Sequence, residues 1–186
     1  MQFYQLFMFL HIACVIVWLG CGVALFVLGS AAILRKDRTA VVSVAHRDVA
    51  TFGRVFGPAA LGALLCGLAM TWIAWDFHEL WILIGLAGFA VSAVYSATAL
   101  RQSGDRLSSA VRKYGAESTL AFAEAQRLLI LGRFDAILLT VIVADMVFKP
   151  SPQSVLALFL MAAALVAAGF FTWRRLRAIT GSLPHS

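Results

Sequence analysis

No Asp, Glu, Lys or Arg interrupts residues 3–34, a run longer than the core helix of a soluble domain needs. Formal charge is scarce throughout: Asp, Glu, Lys and Arg make up 13% of the 186 residues, against 62% hydrophobic. That balance excludes an ordinary water-soluble domain. Cysteine is scarce too. Cys14, Cys21 and Cys66 all sit in apolar runs. The first two stand about 10 Å apart along one helix, too far to bridge, so no disulfide framework follows. Also missing are a Walker loop, a dinucleotide fingerprint, a hydrolase triad and paired catalytic carboxylates.

What is present is a pattern of charge. Arg35, Lys36, Arg38, Arg47 and Arg54 form one basic patch. Arg101, Arg106, Arg112, Lys113, Arg127 and Arg133 form a second, and Arg174, Arg175 and Arg177 a third. Only Lys149 lies elsewhere. Long apolar runs separate the patches, as membrane insertion leaves them when cationic segments stay in the cytoplasm. The net charge of +6 therefore points to anionic headgroups, not to nucleic acid.

Five runs reach the roughly 20 residues that a spanning helix needs. They lie at about 3–34, 55–75, 80–100, 128–148 and 153–173. The first has no basic segment ahead of it, and its positive charges follow it. It reads as an anchor with its N-terminus outside, not as a cleaved signal. The expectation is an all-α polytopic bundle of five transmembrane helices. Its C-terminus is cytoplasmic, and residues 1–186 form one integral membrane domain of a bacterial inner membrane.

Local signals refine this. Gly57-Pro58 marks the entry to the second span, since proline is tolerated in a first helical turn. Gly85, Gly88, Ser92 and Ser96 share one face of the third, where small residues let backbones approach. Leu107, Val111 and Tyr114 suggest a short amphipathic helix within a cytoplasmic segment over 101–117, with Gly115 as its stop. Ser118 is placed to cap the next helix, which reaches Phe148.

Ionisable groups at membrane depth are expensive and therefore informative. His11 shares a helix face with Cys14, Trp18 and Gly22, so this face should turn inward. Two readings stand: a histidine bonded to a neighbouring helix, or a metal or haem ligand. Met8, His11 and Cys14, one per turn, with Cys66 and Met70 on the second span, suit soft Cu(I). They equally suit helix packing. Asp135 is expected to pair with Arg133, Arg54 or Arg101, and Asp145 with Lys149 at i+4. His11, Asp76, His78, Glu79, Asp145 and Lys149 all fall toward the outer face.

Leu10, His11, Trp18, Leu19 and Gly20 form an L-H-x6-W-[LF]-[GA] first helix. It resembles that of CopD-type copper-resistance proteins and HemJ-type protoporphyrinogen oxidases. The nearest resemblance is to domain-of-unknown-function family 2269, predicted integral membrane proteins. Pro58-Ala59-Ala60, Gly67-Leu68-Ala69-Met70, Arg133-Phe134-Asp135 and the ending Met146 to Pro150 carry it. Together they extend the resemblance over most of residues 1–150. The HemJ-like resemblance implies haem b with His11 as an axial ligand and a functional Lys149. HemJ-type third helices carry a lysine and a histidine. Residues 80–100 have neither, which speaks against protoporphyrinogen oxidase activity. A bis-histidine haem would have to recruit His78.

Two functions follow. In the first, haem b or copper is held near the outer face for redox or metal handling. His11, His78, Trp18, Asp145 and Lys149 serve the haem, and His11, Met8, Cys14, Cys66 and Met70 the copper. A membrane redox partner or a second copy of the chain completes it. In the second, the chain is a cofactor-free subunit, scaffold or small-molecule conduit in contact with membrane lipid. A transporter is less favoured: Asp135 and Asp145 lie about 15 Å apart on one helix, but no inverted repeat is visible.

Overall fold

The computed structural model describes residues 2–75 and 77–180, apart from the side chains of 47–53 and 180. Every regular element among them is helical: α1 (Gln2–Leu34), α2 (Arg38–Ala74), α3 (Leu80–Tyr95), α4 (Arg101–Tyr114), α5 (Thr119–Phe148) and α6 (Val155–Thr180). A π-helical turn, Ser96–Leu100, joins α3 to α4, so the two run on as one long rod.

Four helical stretches are long and apolar enough to cross a membrane: Gln2–Leu34, Arg54–Ala74, Leu80–Tyr114 and Val155–Ile179. The expected span over 128–148 lies in α5, which carries Glu124, Arg127, Arg133, Asp135 and Asp145. Those charges set α5 apart from the other four on composition.

The second expected span is the end of a longer helix. Asp37 caps α2, its Oδ1 accepting from the Ala40 N–H at 2.9 Å, and the helix then runs 37 residues, about 55 Å. Pro58 therefore lies deep inside α2 and not in its first turn. It removes one backbone donor and leaves the carbonyl four residues back without its helical partner.

α1 and α2 form an antiparallel hairpin. Their register is set by Tyr4 against Trp75, His11 against Ala63 and Gly67, and Cys14 against Gly62. The expected small face of α3 packs on α5: Gly85 receives Met146, Gly88 receives Ile142, and the Ser92 hydroxyl bonds Asp135. Side chains at Gly85 and Gly88 would collide with α5, which is why this face is small. α6 packs on α5, and its other sides expose large apolar groups such as Leu156, Phe159 and Val166. Such a surface is stable only against lipid or another apolar partner.

Two cores result. At the arginine-rich end Ala32, Val41, Val42, Ala45, Leu107, Ala110, Ala121, Ala125 and Leu129 close α1, α2, α4 and α5 around Leu107, which is fully buried. The amphipathic helix expected over 101–117 is α4, ended by Gly115 at φ 84°, although Tyr114 points away from the core. Ser118 caps α5 as expected, accepting from the Ala121 N–H at 3.2 Å. The second core gathers Trp18, Ala59, Ala63, Leu138, Leu139 and Ile142 midway along the bundle. Above it, toward Lys149, the α1–α2 hairpin and the α3–α5 pair separate around a cavity.

Candidate functional site

The cavity measures about 430 Å³, within the usual range for small-molecule sites. Its wall is mostly apolar and aromatic, and α1, α2, α3 and α5 all contribute to it. His11 stands on the α1–α2 side. Its Nδ1 lies 2.7 Å from the Ala63 carbonyl oxygen. A carbonyl can only accept, so Nδ1 carries the hydrogen and Nε2 of the neutral ring is the free acceptor. Among the described residues Nε2 has no hydrogen-bond partner. Gly67 eases this placement, because a Cβ there would stand a tight 3.2 Å from the imidazole Cε1.

Trp18, only 6% exposed, packs edge to face against Phe56 and tilted against Phe89, at centroid distances of 5.9 and 5.3 Å, and forms the floor. Its indole N–H is buried and has no hydrogen-bond partner among the described residues. At the other end Trp75 and Trp81 meet edge to face at 5.4 Å, and the Trp75 N–H donates to the Tyr4 hydroxyl at 3.3 Å. The Lys149 ammonium sits 4.1 Å from the Trp75 ring centre and 5.1 Å from that of Trp81. Lys149 terminates α5 in a left-handed conformation, φ 44°, its N–H donating to the Asp145 carbonyl. That backbone turn swings its side chain back over the aromatic rim.

The expected Asp145–Lys149 pair is therefore not formed. The Asp145 side chain is fully buried against α3, where the missing side chain of Gly85 leaves room, and among the described residues neither carboxylate oxygen has a partner. Asp135 also departs from expectation. It accepts from the Ser92 hydroxyl at 2.8 Å and from no arginine, while Arg133 turns to Ser30 on α1.

The structure brings Met8, His11, Trp18, Met70 and Lys149 to one cavity, with Asp145 in the adjoining α5 wall. Cys14 lies outside it, against Gly62 in the α1–α2 seam, and Cys66 is half-buried off the lining. Among the described residues no three His, Cys, Asp or Glu side chains gather to hold a metal ion. His78 and Glu79 are exposed on the α2–α3 turn and do not line the cavity, and Asp76 lies outside the described residues. Sequence reasoning missed Tyr4, Trp75, Trp81, Phe89 and Met146. The tryptophans flanking the α2–α3 turn carried a usable signal, since tryptophan collects at membrane interfaces.

The family described as "Predicted integral membrane protein (DUF2269)" matches residues 5–150, and the chain belongs to it. No curated protein and no solved structure matches the chain. The matched stretch runs from residue 5 to Pro150, so it takes in the cavity lining except Tyr4, includes Asp145 and Lys149, and leaves out α6. The chain is an integral membrane protein with several apolar helices.

Proposed function

We propose that the chain is a single five-span domain of the bacterial cytoplasmic membrane, N-terminus outside and C-terminus inside, that holds a b-type haem in the Lys149-end cavity. His11 is the residue that would ligate its iron. The observation that carries this reading is the His11–Ala63 bond, which fixes the ring through Nδ1 and leaves Nε2 free on the cavity wall. Metal-ligating histidines are commonly held in this way, one nitrogen on a carbonyl and the other on the metal.

The remaining wall fits the same group. Trp18, Trp75, Trp81 and Phe89 offer flat apolar surfaces, and Met8, Met70 and Met146 bring thioethers, a second type of ligand that haem iron accepts. Lys149 places a cation at the rim, where it would meet a carboxylate of the cofactor. A cavity of about 430 Å³ far exceeds what a bare copper ion fills, and Cys14 and Cys66 stand off it. Bound haem would supply one-electron redox chemistry, and a membrane donor or acceptor would be its partner.

Inward-facing charge supports α5 as the fifth span. Asp135 and Asp145 are 4% and 0% exposed, while Val147 and Phe148 are 69% exposed. A helix that turns its acids inward and its apolar groups outward suits lipid despite its composition.

One observation favours a second reading, the cofactor-free subunit, scaffold or conduit. The His11–Ala63 bond also ties α1 to α2, and packing alone is enough to explain it. Haem occupancy of His11→Ala and His11→Gln separates the two. Both variants lose the chromophore on the haem reading while remaining monodisperse. Unchanged occupancy in His11→Ala defeats that reading.

A further inference from the structure

The seam between α1 and α5 is closed at the arginine-rich end. Leu129 of α5 packs on Gly29 of α1, where a Cβ would stand 2.6 Å from its methyl, and Arg133 donates to Ser30 at 3.1 Å. Ile12 precedes Ser30, and Val147 follows Leu129, by about five full turns, so each pair shares a helix face. At the Lys149 end those faces stand apart. Ile12 is 50% exposed and Val147 69%, yet both line the cavity. Met8 and Ile16, a turn to either side of Ile12, are exposed lining residues as well.

Contacts close the other sides. His11 on the Ala63 carbonyl and Cys14 against Gly62 seal α1 to α2, and Met146 in the space over Gly85 seals α5 to α3. On the α2–α3 side the lining residues Leu64, Leu68 and Leu86 are all half-buried. At the rim, the Trp75 N–H on the Tyr4 hydroxyl, the Trp75–Trp81 contact and Lys149 over both rings tie all four helices together. A ligand arriving from water would have to part that roof. The α1–α5 gap faces sideways instead, between two branched apolar ridges at a level where lipid surrounds the helices.

We propose that the outer half of the α1–α5 seam is a lateral portal, edged by Ile12, Ile16 and Val147, through which the cavity takes its ligand from the hydrocarbon phase of the membrane. The identity of that ligand rests on the haem reading. A flat, largely apolar macrocycle partitions into a bilayer and fits edge-on between such ridges, its carboxylates toward Lys149 at the rim.

The test follows haem uptake by the full-length chain, expressed under haem limitation and reconstituted in liposomes that carry haem, through growth of the Soret band. Ile12→Trp and Val147→Trp add bulk at exposed positions, so folding is not endangered. Both should slow uptake by about tenfold or more, the order expected when a bulky side chain must be pushed aside, while final occupancy stays at the wild-type level. Val166→Trp on α6, as exposed as Val147 but away from the seam, should leave the rate unchanged. Wild-type rates in both portal variants overturn the proposal.

A second readout needs no haem, and it decides where a variant lowers occupancy as well as rate. A phospholipid with a diazirine on its acyl chain should photolabel Phe89 on the α3 wall in wild type and Val166→Trp, and much less in Val147→Trp. That labelling pattern without any haem uptake removes the haem reading and keeps the portal. Equal labelling of Phe89 in wild type and Val147→Trp, or none in wild type, overturns the portal even where haem binds.

Discussion

Replacing Asp145 by leucine should stabilise the protein, which is unusual for a buried position. Asp145 is 0% exposed, and neither of its oxygens finds a donor among the described residues. Its one local cation, Lys149, is committed to Trp75 and Trp81 at 4.1 and 5.1 Å. A buried polar group left in this state costs about 1–3 kcal/mol, and removing it recovers that amount. Leucine fills comparable space, and the α3 backbone opposite carries only Gly85, whose absent Cβ would stand 3.4 Å from Oδ2. For a chain of this length the gain corresponds to a melting shift of roughly 2–12 °C. The assay is thermal unfolding of the detergent-purified chain, followed by loss of the monodisperse species. Asp145→Asn controls for shape: it removes any charge but still buries polar atoms, so it should gain less than leucine. A melting temperature below wild type for both variants would refute the reasoning, because it would mean that the carboxyl has a partner worth more than its desolvation. Lower haem retention in a more stable Asp145→Leu protein would place that acid in function.

Three further outcomes follow from the packing. Gly29→Val should destabilise by about 1–3 kcal/mol through overpacking, since an added Cβ would stand 2.6 Å from a Leu129 methyl. Leu129→Ala should relieve part of that loss, so a double-mutant cycle in the same melting assay should show favourable coupling, and additive losses would contradict the contact. Ser92→Ala strips Asp135 of its donor and should lower stability by about 1–3 kcal/mol, whereas Ser92→Thr, which keeps the hydroxyl, should lower it less. If α5 spans the bilayer, a cysteine at Ser151 should label from outside with an impermeant maleimide in a background lacking native cysteines, and one at Ser109 should not. Equal labelling of both from one side rejects the fifth span.

Much of the helical architecture was readable because hydropathy and charge are strong, local signals. The α3 face built on Gly85, Gly88 and Ser92 was legible for the same reason: close helix approach leaves no room for side chains, and spacing alone reveals the face. The extension of α2 back to Arg38 was not read. Arg38, His46 and Arg47 lower its hydropathy, and its helical signal lies instead in the Asp37 cap and in Val41, Val42 and Ala45 on one side. The ionic pairings failed for a different reason. Spacing of i, i+4 favours Asp145 with Lys149, but the rings that hold Lys149 come from positions 75 and 81, and no local rule reports them. Asp135 likewise took a hydroxyl from α3 where arginines were expected. His11 was identified from its depth and helix face. Its partner, a backbone carbonyl on α2, leaves no mark in the sequence.

The most direct test of the central claim is an absorption spectrum of the purified full-length chain, expressed with ample haem, before and after dithionite. A Soret band with sharpened α and β bands on reduction, at about one haem per chain and lost in His11→Ala, is what the His11 geometry predicts. A colourless, monodisperse protein from the same expression would contradict it and leave the His11–Ala63 bond as a packing device between α1 and α2.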